Sequence, residues 1–100
     1  MARLIYSRQA LDDLERISDF LVTYDPAIAS AAIELIIEAV TVLERHPLIG
    51  RAFDEDLREL VITQGKTGYV ALYSFEEPHD AVLILAVRHQ REAGFHSSIK

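Results

Sequence analysis

The run Ala81-Val82-Leu83-Ile84-Leu85-Ala86-Val87 is apolar at every position. A strand with one wet face alternates apolar with polar residues, so an unbroken apolar run is expected where both faces are covered. Residues 81–89 are therefore read as the central strand of a sheet. Working back from it, residues 57–63 and 69–75 are also rich in Val, Ile, Leu and Tyr. Gln64-Gly65-Lys66-Thr67-Gly68 and Glu76-Glu77-Pro78-His79-Asp80 separate the three runs and read as turns. The second half of the chain is thus expected to be a three-stranded meander.

Upstream, His46-Pro47-Leu48-Ile49-Gly50-Arg51 ends a helical region, because Pro47 disfavours helical geometry in the residue before it and Gly50 supplies a turn. The helical region itself divides at Tyr24-Asp25-Pro26, where Asp25 can cap a helix whose first position Pro26 suits. Before the break, Ser7 precedes Ala10, Leu14, Ile17 and Leu21 at helical spacing. Asp12, Asp13, Glu15, Arg16 and Asp19 are expected to form the solvated face, with Asp12 and Arg16 spaced for an i,i+4 pair. After the break, Ala32, Ile33, Ile36, Ile37, Val40 and Leu43 form a stripe wider than one sheet contact requires, so part of it is expected to serve a partner. Ala29, Ala31, Ala32 and Ala39 allow close helix–helix approach. With a short strand over residues 2–6, the layout is β-α-α-β-β-β. This is an α+β fold in which a helical hairpin packs on a mostly antiparallel four-stranded sheet.

Composition narrows the function. One hundred residues, half of them hydrophobic and 26% charged, make a single domain spanning residues 1–100. The absence of cysteine excludes disulfide scaffolds, thiolate nucleophiles and Cys-ligated metals. No apolar run is expected to approach the roughly 20 residues of a membrane span, and the start lacks signal-peptide character. A cytoplasmic protein without membrane contact is expected. Ten basic against sixteen acidic residues give a net charge of −6, which opposes diffuse attraction to nucleic acid. Glu34 and Glu38 lie one turn apart with no histidine at ligand spacing, so no metal site and no cofactor are expected.

The order of the short motifs is more telling than any one of them. Pro47-Leu48-Ile49-Gly50-Arg51, Leu57-Arg58-Glu59-Leu60, Gly68-Tyr69-Val70-Ala71-Leu72-Tyr73 and Arg88-His89-Gln90-Arg91-Glu92 follow one another within one short chain. In this the sequence closely resembles the RelE/ParE superfamily, the plasmid stabilisation toxins of type II toxin–antitoxin systems, over nearly its whole length. The resemblance implies a growth-inhibiting toxin neutralised by a cognate antitoxin in a hetero-oligomer. Ile33, Ile37 and Val40 are the expected antitoxin contacts. Two targets are open. If the chain is RelE-like, a ribosome-dependent mRNA endoribonuclease, Arg58 and Arg88 match arginines around the scissile phosphate and His89 stands where a proton-transfer group is useful. If it is ParE-like, it blocks DNA gyrase by binding and has no chemistry of its own. Arg51, Lys66, Arg91 and Phe95 are then candidate target contacts.

The nuclease members often carry a tyrosine near the C terminus. Phe95 offers stacking there and no hydroxyl, and the lysines are sparse, so gyrase is the favoured target. A fold-sharing binding module without toxicity is the third reading. Structural roles stand beside the functional ones: Arg58 shares a strand face with Leu60 and Ile62, Arg88 lies beside Ile84 and Ala86, and His89 alternates with Leu83, Leu85 and Val87. Tyr69 and Tyr73 read as cross-strand core residues.

Overall fold

The computed structural model describes residues 1–64 and 67–90. Strand β1 (Arg3–Tyr6) runs into helix α1 (Arg8–Val22) and then α2 (Pro26–Thr41), and β2 (Arg51–Ala52), β3 (Arg58–Gln64), β4 (Thr67–Glu76) and β5 (Ala81–His89) follow. The helix starts are set by the residues the spacing marked. The Ala10 N–H donates to Ser7 Oγ at 3.0 Å, and the Ala27 N–H donates to Asp25 Oδ1 at 2.8 Å with Pro26 just inside the helix. Each cap satisfies a backbone donor that the first helical turn leaves open.

The sheet runs β1-β5-β4-β3-β2, with β1 parallel to β5 and every other pair antiparallel. The α+β layout is as expected, but the sheet has five strands. The added strand, β2, pairs only Arg51 with Glu59 and Ala52 with Arg58, too short a run to leave a periodicity. The middle strand is β4. Strand β5 is nonetheless interior, flanked by β1 and β4, which accounts for its unbroken apolarity.

A register shift opposite Leu72 and Tyr73 alters the reading of β5: Leu72 pairs with Ala86 and Tyr73 with Ile84, leaving Leu85 as the extra residue of a bulge. Strict alternation therefore fails along this strand. Val82, Ile84 and Val87 join Ala10, Ile17, Ile36, Val40, Leu43 and Tyr73 in the core beneath the helices. Ala86 instead joins Leu72 in a second cluster, with Phe53, Leu57, Val70 and Leu85 packed against it. The sheet face away from the helices thus carries an apolar cover from the β2–β3 connection.

Two further expectations are corrected. Residues Pro26–Glu44, α2 with the single 3-10 turn that follows it, form a 19-residue stretch long and apolar enough by length and composition to cross a bilayer. In this fold it lies on the sheet and α1, burying Ala29, Ala32, Ile36, Val40 and Leu43. On α1, Asp12 pairs with Arg8 at 3.7 Å rather than with Arg16, and Arg16 turns to Asp13 at 3.6 Å. Asp13 itself is buried, for a reason that lies in the sheet edge.

Candidate functional site

Strand β1 is short and its pairing ends at Tyr6 and Ile84, so among the described residues no strand lies beside the outer edge of β5 beyond Ile84. The start of α1 takes its place. The Ser7 N–H donates to the Ile84 carbonyl at 2.9 Å, and Ser7 Oγ donates to the Leu85 carbonyl at 3.0 Å. Two turns along, Asp13 Oδ2 accepts the Val87 N–H at 2.9 Å. Side chains thus complete a ladder that backbone begins, as buried backbone groups require.

The Asp13 carboxylate gathers three more donors. Arg88 Nη1 lies 2.6 Å from Oδ2, Gln9 Nε2 donates to Oδ1 at 2.8 Å, and Arg16 Nη2 is 3.6 Å from Oδ1. A buried carboxylate is tolerated only when it is paired and hydrogen-bonded in this way. Arg88 pairs in register with Val70, on the face away from the helices, yet its guanidinium reaches α1. Its side chain therefore curls round the edge that β1 leaves open.

Arg58 sits in a different knot. The Tyr73 side chain is fully buried, and its hydroxyl accepts the Gly50 N–H at 2.9 Å. The Gly50 carbonyl in turn accepts from Arg58 Nη1 at 2.7 Å, and the Leu48 carbonyl takes a second, longer bond at 3.2 Å. Burial raises the Tyr73 phenol above its ordinary value, and the Gly50 hydrogen bond and the Arg58 charge act against that rise. Arg51 faces Glu59 across the β2–β3 pair and bonds it at 3.1 Å, with Arg51 largely exposed and Glu59 buried.

The candidate site residues that are described do not converge on one spot. Arg58 lies opposite Tyr73, whereas Arg88 lies opposite Val70, which faces Val61. The two arginines belong to opposite sheet faces and are offset by the step from Val61 to Arg58, about 10 Å along the strand. His89 pairs with Tyr69, edge to face, at a ring distance of 5.3 Å. Burial raises the Tyr69 phenol. Lys66, Arg91 and Phe95 lie outside the described residues. Of the residues expected to meet an antitoxin, Ile37 is exposed, Ile33 is half-buried, and Val40 is wholly in the core. Val40 is therefore corrected to a packing residue. The other large apolar residue exposed on α2 is Ile28, with Val42 just beyond the helix end.

Asp13 is the residue that sequence reading placed wrongly. The signal was present: it stands three residues after Ala10 and four before Ile17, on the apolar stripe of α1. A carboxylate on that stripe is the anomaly that asks for a buried cation.

This arrangement has relatives. Residues 4–94 match the model of the ParE toxin of the type II toxin–antitoxin system parDE. Toxin RelE3 of Caulobacter vibrioides is 34% identical over 84 residues, which cover 84% of this chain and 89% of that protein. Among solved structures, the chromosomal ParDE toxin–antitoxin system from P. aeruginosa superposes with a TM-score of 0.71 at 25% identity, covering 88% of this chain and 95% of that one. The isolated E. coli RelE toxin shares the fold, with a TM-score of 0.69 at 14% identity over 99% of this chain and 95% of that one. The chain belongs to the ParE toxin family of type II toxin–antitoxin systems.

Proposed function

We propose that this toxin arrests growth by binding DNA gyrase and performs no chemistry of its own. The observation that carries the reading is the engagement of Arg88 by the buried Asp13 carboxylate at 2.6 Å. A ribonuclease needs cations free to meet charge developing on a phosphate, together with a base and an acid within reach of the same phosphate. Arg88 is held by a carboxylate at the α1 edge of β5, and Arg58 is spent on the Leu48 and Gly50 carbonyls at β3, two strands away. A binder needs no such convergence. The net charge of −6 also disfavours docking on ribosomal RNA, where phosphate contacts supply much of the affinity.

A cognate antitoxin is the second partner. The complexes solved for P. aeruginosa ParDE and for RelBE2 of Mycobacterium tuberculosis, the latter at 28% identity and a TM-score of 0.56, support one here. Its docking surface is assigned to α2, where Ile28 and Ile37 are exposed and Ile33 half-buried. Apolar side chains laid into a groove would hold it, so its affinity is expected to vary weakly with salt.

The test is expression of the chain alone with separate pulse labels for DNA, RNA and protein, paired with gyrase supercoiling in the presence of purified toxin. DNA synthesis failing first and inhibited supercoiling are expected. Protein synthesis failing first, with messages cut and supercoiling untouched, would instead establish a ribosome-dependent nuclease. Unimpaired growth would leave only the non-toxic binding module.

A further inference from the structure

Between Glu44 and Asp54 the chain holds no acidic residue but two arginines and a histidine, Arg45, His46 and Arg51, all of them exposed. Arg58 joins them from β3 through its bonds to the Leu48 and Gly50 carbonyls. The carboxylate bonded here is that of Glu59, buried against Arg51, so the connection from α2 to β2 is locally basic in a protein of net charge −6. Amid these cations Leu48 and Ile49 stand side by side in water, 57% and 58% exposed. Adjacent large aliphatic side chains rimmed by polar groups have the makeup of an interface. We propose that the connection 45–51 is the surface with which this toxin grips gyrase, and that the segment it grips is acidic, with aliphatic side chains between its carboxylates.

The backbone of the connection is tied down on both sides of the apolar pair. The Gly50 N–H donates to the Tyr73 hydroxyl at 2.9 Å, Arg58 holds the Leu48 and Gly50 carbonyls, and the Ile49 N–H donates to the His46 carbonyl at 3.1 Å. A loop fixed in this way displays Leu48 and Ile49 without an ordering cost when a partner arrives. Charge separates this surface from the one assigned to the antitoxin. Helix α2, Pro26–Thr41, carries Glu34 and Glu38 and no basic residue, so a segment suited to α2 meets anions and a segment suited to the connection meets cations. The two surfaces call for partners of opposite charge. The aliphatic pair at the centre favours a protein partner over nucleic acid, whose outer face is phosphate. The inference rests on gyrase being the target.

The test is gyrase supercoiling titrated with purified toxin. Leu48→Ser/Ile49→Ser removes the apolar pair, and Arg45→Gln removes one charge, leaving in place Arg51 and Arg58, on which Glu59 and the two carbonyls depend. All three replaced side chains are exposed, so melting curves by circular dichroism should match the parent's. The toxin concentration for half inhibition is expected to rise about tenfold or more in the double variant. In Arg45→Gln it should rise about threefold at low salt, and less at high salt. Leu11→Ser, at a comparably exposed leucine on α1, should inhibit like the parent. Folded variants that inhibit as well as the parent, or a Leu11→Ser that loses as much, overturn the proposal and leave gyrase as the target. A loss in Arg45→Gln without one in the double variant would mark a phosphate contact and overturns it too, and a loss in the double variant alone overturns the acidic partner. A parent that leaves supercoiling untouched overturns the target assignment and this surface together. Should the double variant fail to fold, Leu48→Gln alone is read in the same way.

Discussion

Gly50→Ala is expected to be among the most damaging single-methyl additions in this fold, although Gly50 lies in a connection between elements. A Cβ built on Gly50 would stand 2.6 Å from the Tyr73 hydroxyl, 2.7 Å from Tyr73 Cε1 and 2.7 Å from the Glu59 carbonyl oxygen. None of these can step aside cheaply. Glu59 is backbone of β3, and Tyr73 is a fully buried ring in the central strand. Forcing a methyl into such a contact costs about 1–3 kcal/mol. Separating the Gly50 N–H from the Tyr73 hydroxyl strands both groups, which adds about 1–3 kcal/mol. The sum, about 2–6 kcal/mol, is a large part of the ~5–15 kcal/mol that holds a domain together. At about 4–8 °C per kcal/mol for a chain of this size, the melting temperature should fall by at least about 8 °C. Urea unfolding followed by circular dichroism supplies the number, with Tyr73→Phe as the partner variant because it removes the hydroxyl and leaves the ring. The double variant should lose less than the sum of the singles by more than about 0.5 kcal/mol, since both act on one contact. A Gly50→Ala protein within about 0.5 kcal/mol of the parent, or strict additivity, would refute the reasoning.

Other changes test the remaining parts of the fold. Asp13→Ala removes the partner of Arg88 and the acceptor of Val87, and a loss of about 3–5 kcal/mol in urea unfolding is expected; a loss below about 1 kcal/mol would mean that the edge of β5 is satisfied some other way. The Tyr6 hydroxyl is buried and has no hydrogen-bond partner among the described residues, so Tyr6→Phe should leave stability unchanged or raise it by up to about 1–2 kcal/mol. A clear loss would reveal a partner. Burial raises the phenols of Tyr6, Tyr69 and Tyr73 above their ordinary 10.0. The folded chain therefore keeps protons that the unfolded chain releases, and stability should be level below about pH 10 and decline as pH climbs through the folded values. Urea midpoints that stay flat to about pH 11 would contradict this, and Tyr6→Phe should soften the decline.

What could be read from sequence divides along a physical line. The helix boundaries were legible because Ser7, Asp25 and Pro26 act on their immediate neighbours, and local chemistry leaves a local mark. The strands β3, β4 and β5 announced themselves by composition. Strand β2 did not, because two residues held by Glu59 and Arg58 have no period of their own. The bulge at Leu85 was invisible for a related cause: in a strand apolar at every position, a shift of face changes no residue type. It also undid the face assignments built on alternation, which had set Arg88 beside Ile84 and His89 beside Leu85. Asp13 was misplaced because five neighbouring polar residues on α1 looked like one wet face. Its true partners, Val87 and Arg88, lie 74 and 75 positions away, beyond the reach of any helical repeat.

The same knots bear on how the family's motifs should be interpreted here. Gly50, Arg58 and Tyr73 come from three separate motifs, yet they form one chain of hydrogen bonds, and Arg51 with Glu59 closes the neighbouring rung. Geometry alone therefore gives a reason for these residues to occur together. Loss of toxicity in Arg58→Ala would not by itself identify a target contact, since the Gly50 and Leu48 carbonyls would lose their donor at the same time. Arg58→Lys separates the roles. A lysine keeps the charge but replaces the planar guanidinium, whose Nη1 serves both carbonyls, with an ammonium on a flexible stem. If Arg58 only anchors the connection, toxicity across Arg58→Lys and Arg58→Ala should follow folding stability in step. If it touches the target, toxicity should fall further than stability does in Arg58→Ala and return in Arg58→Lys.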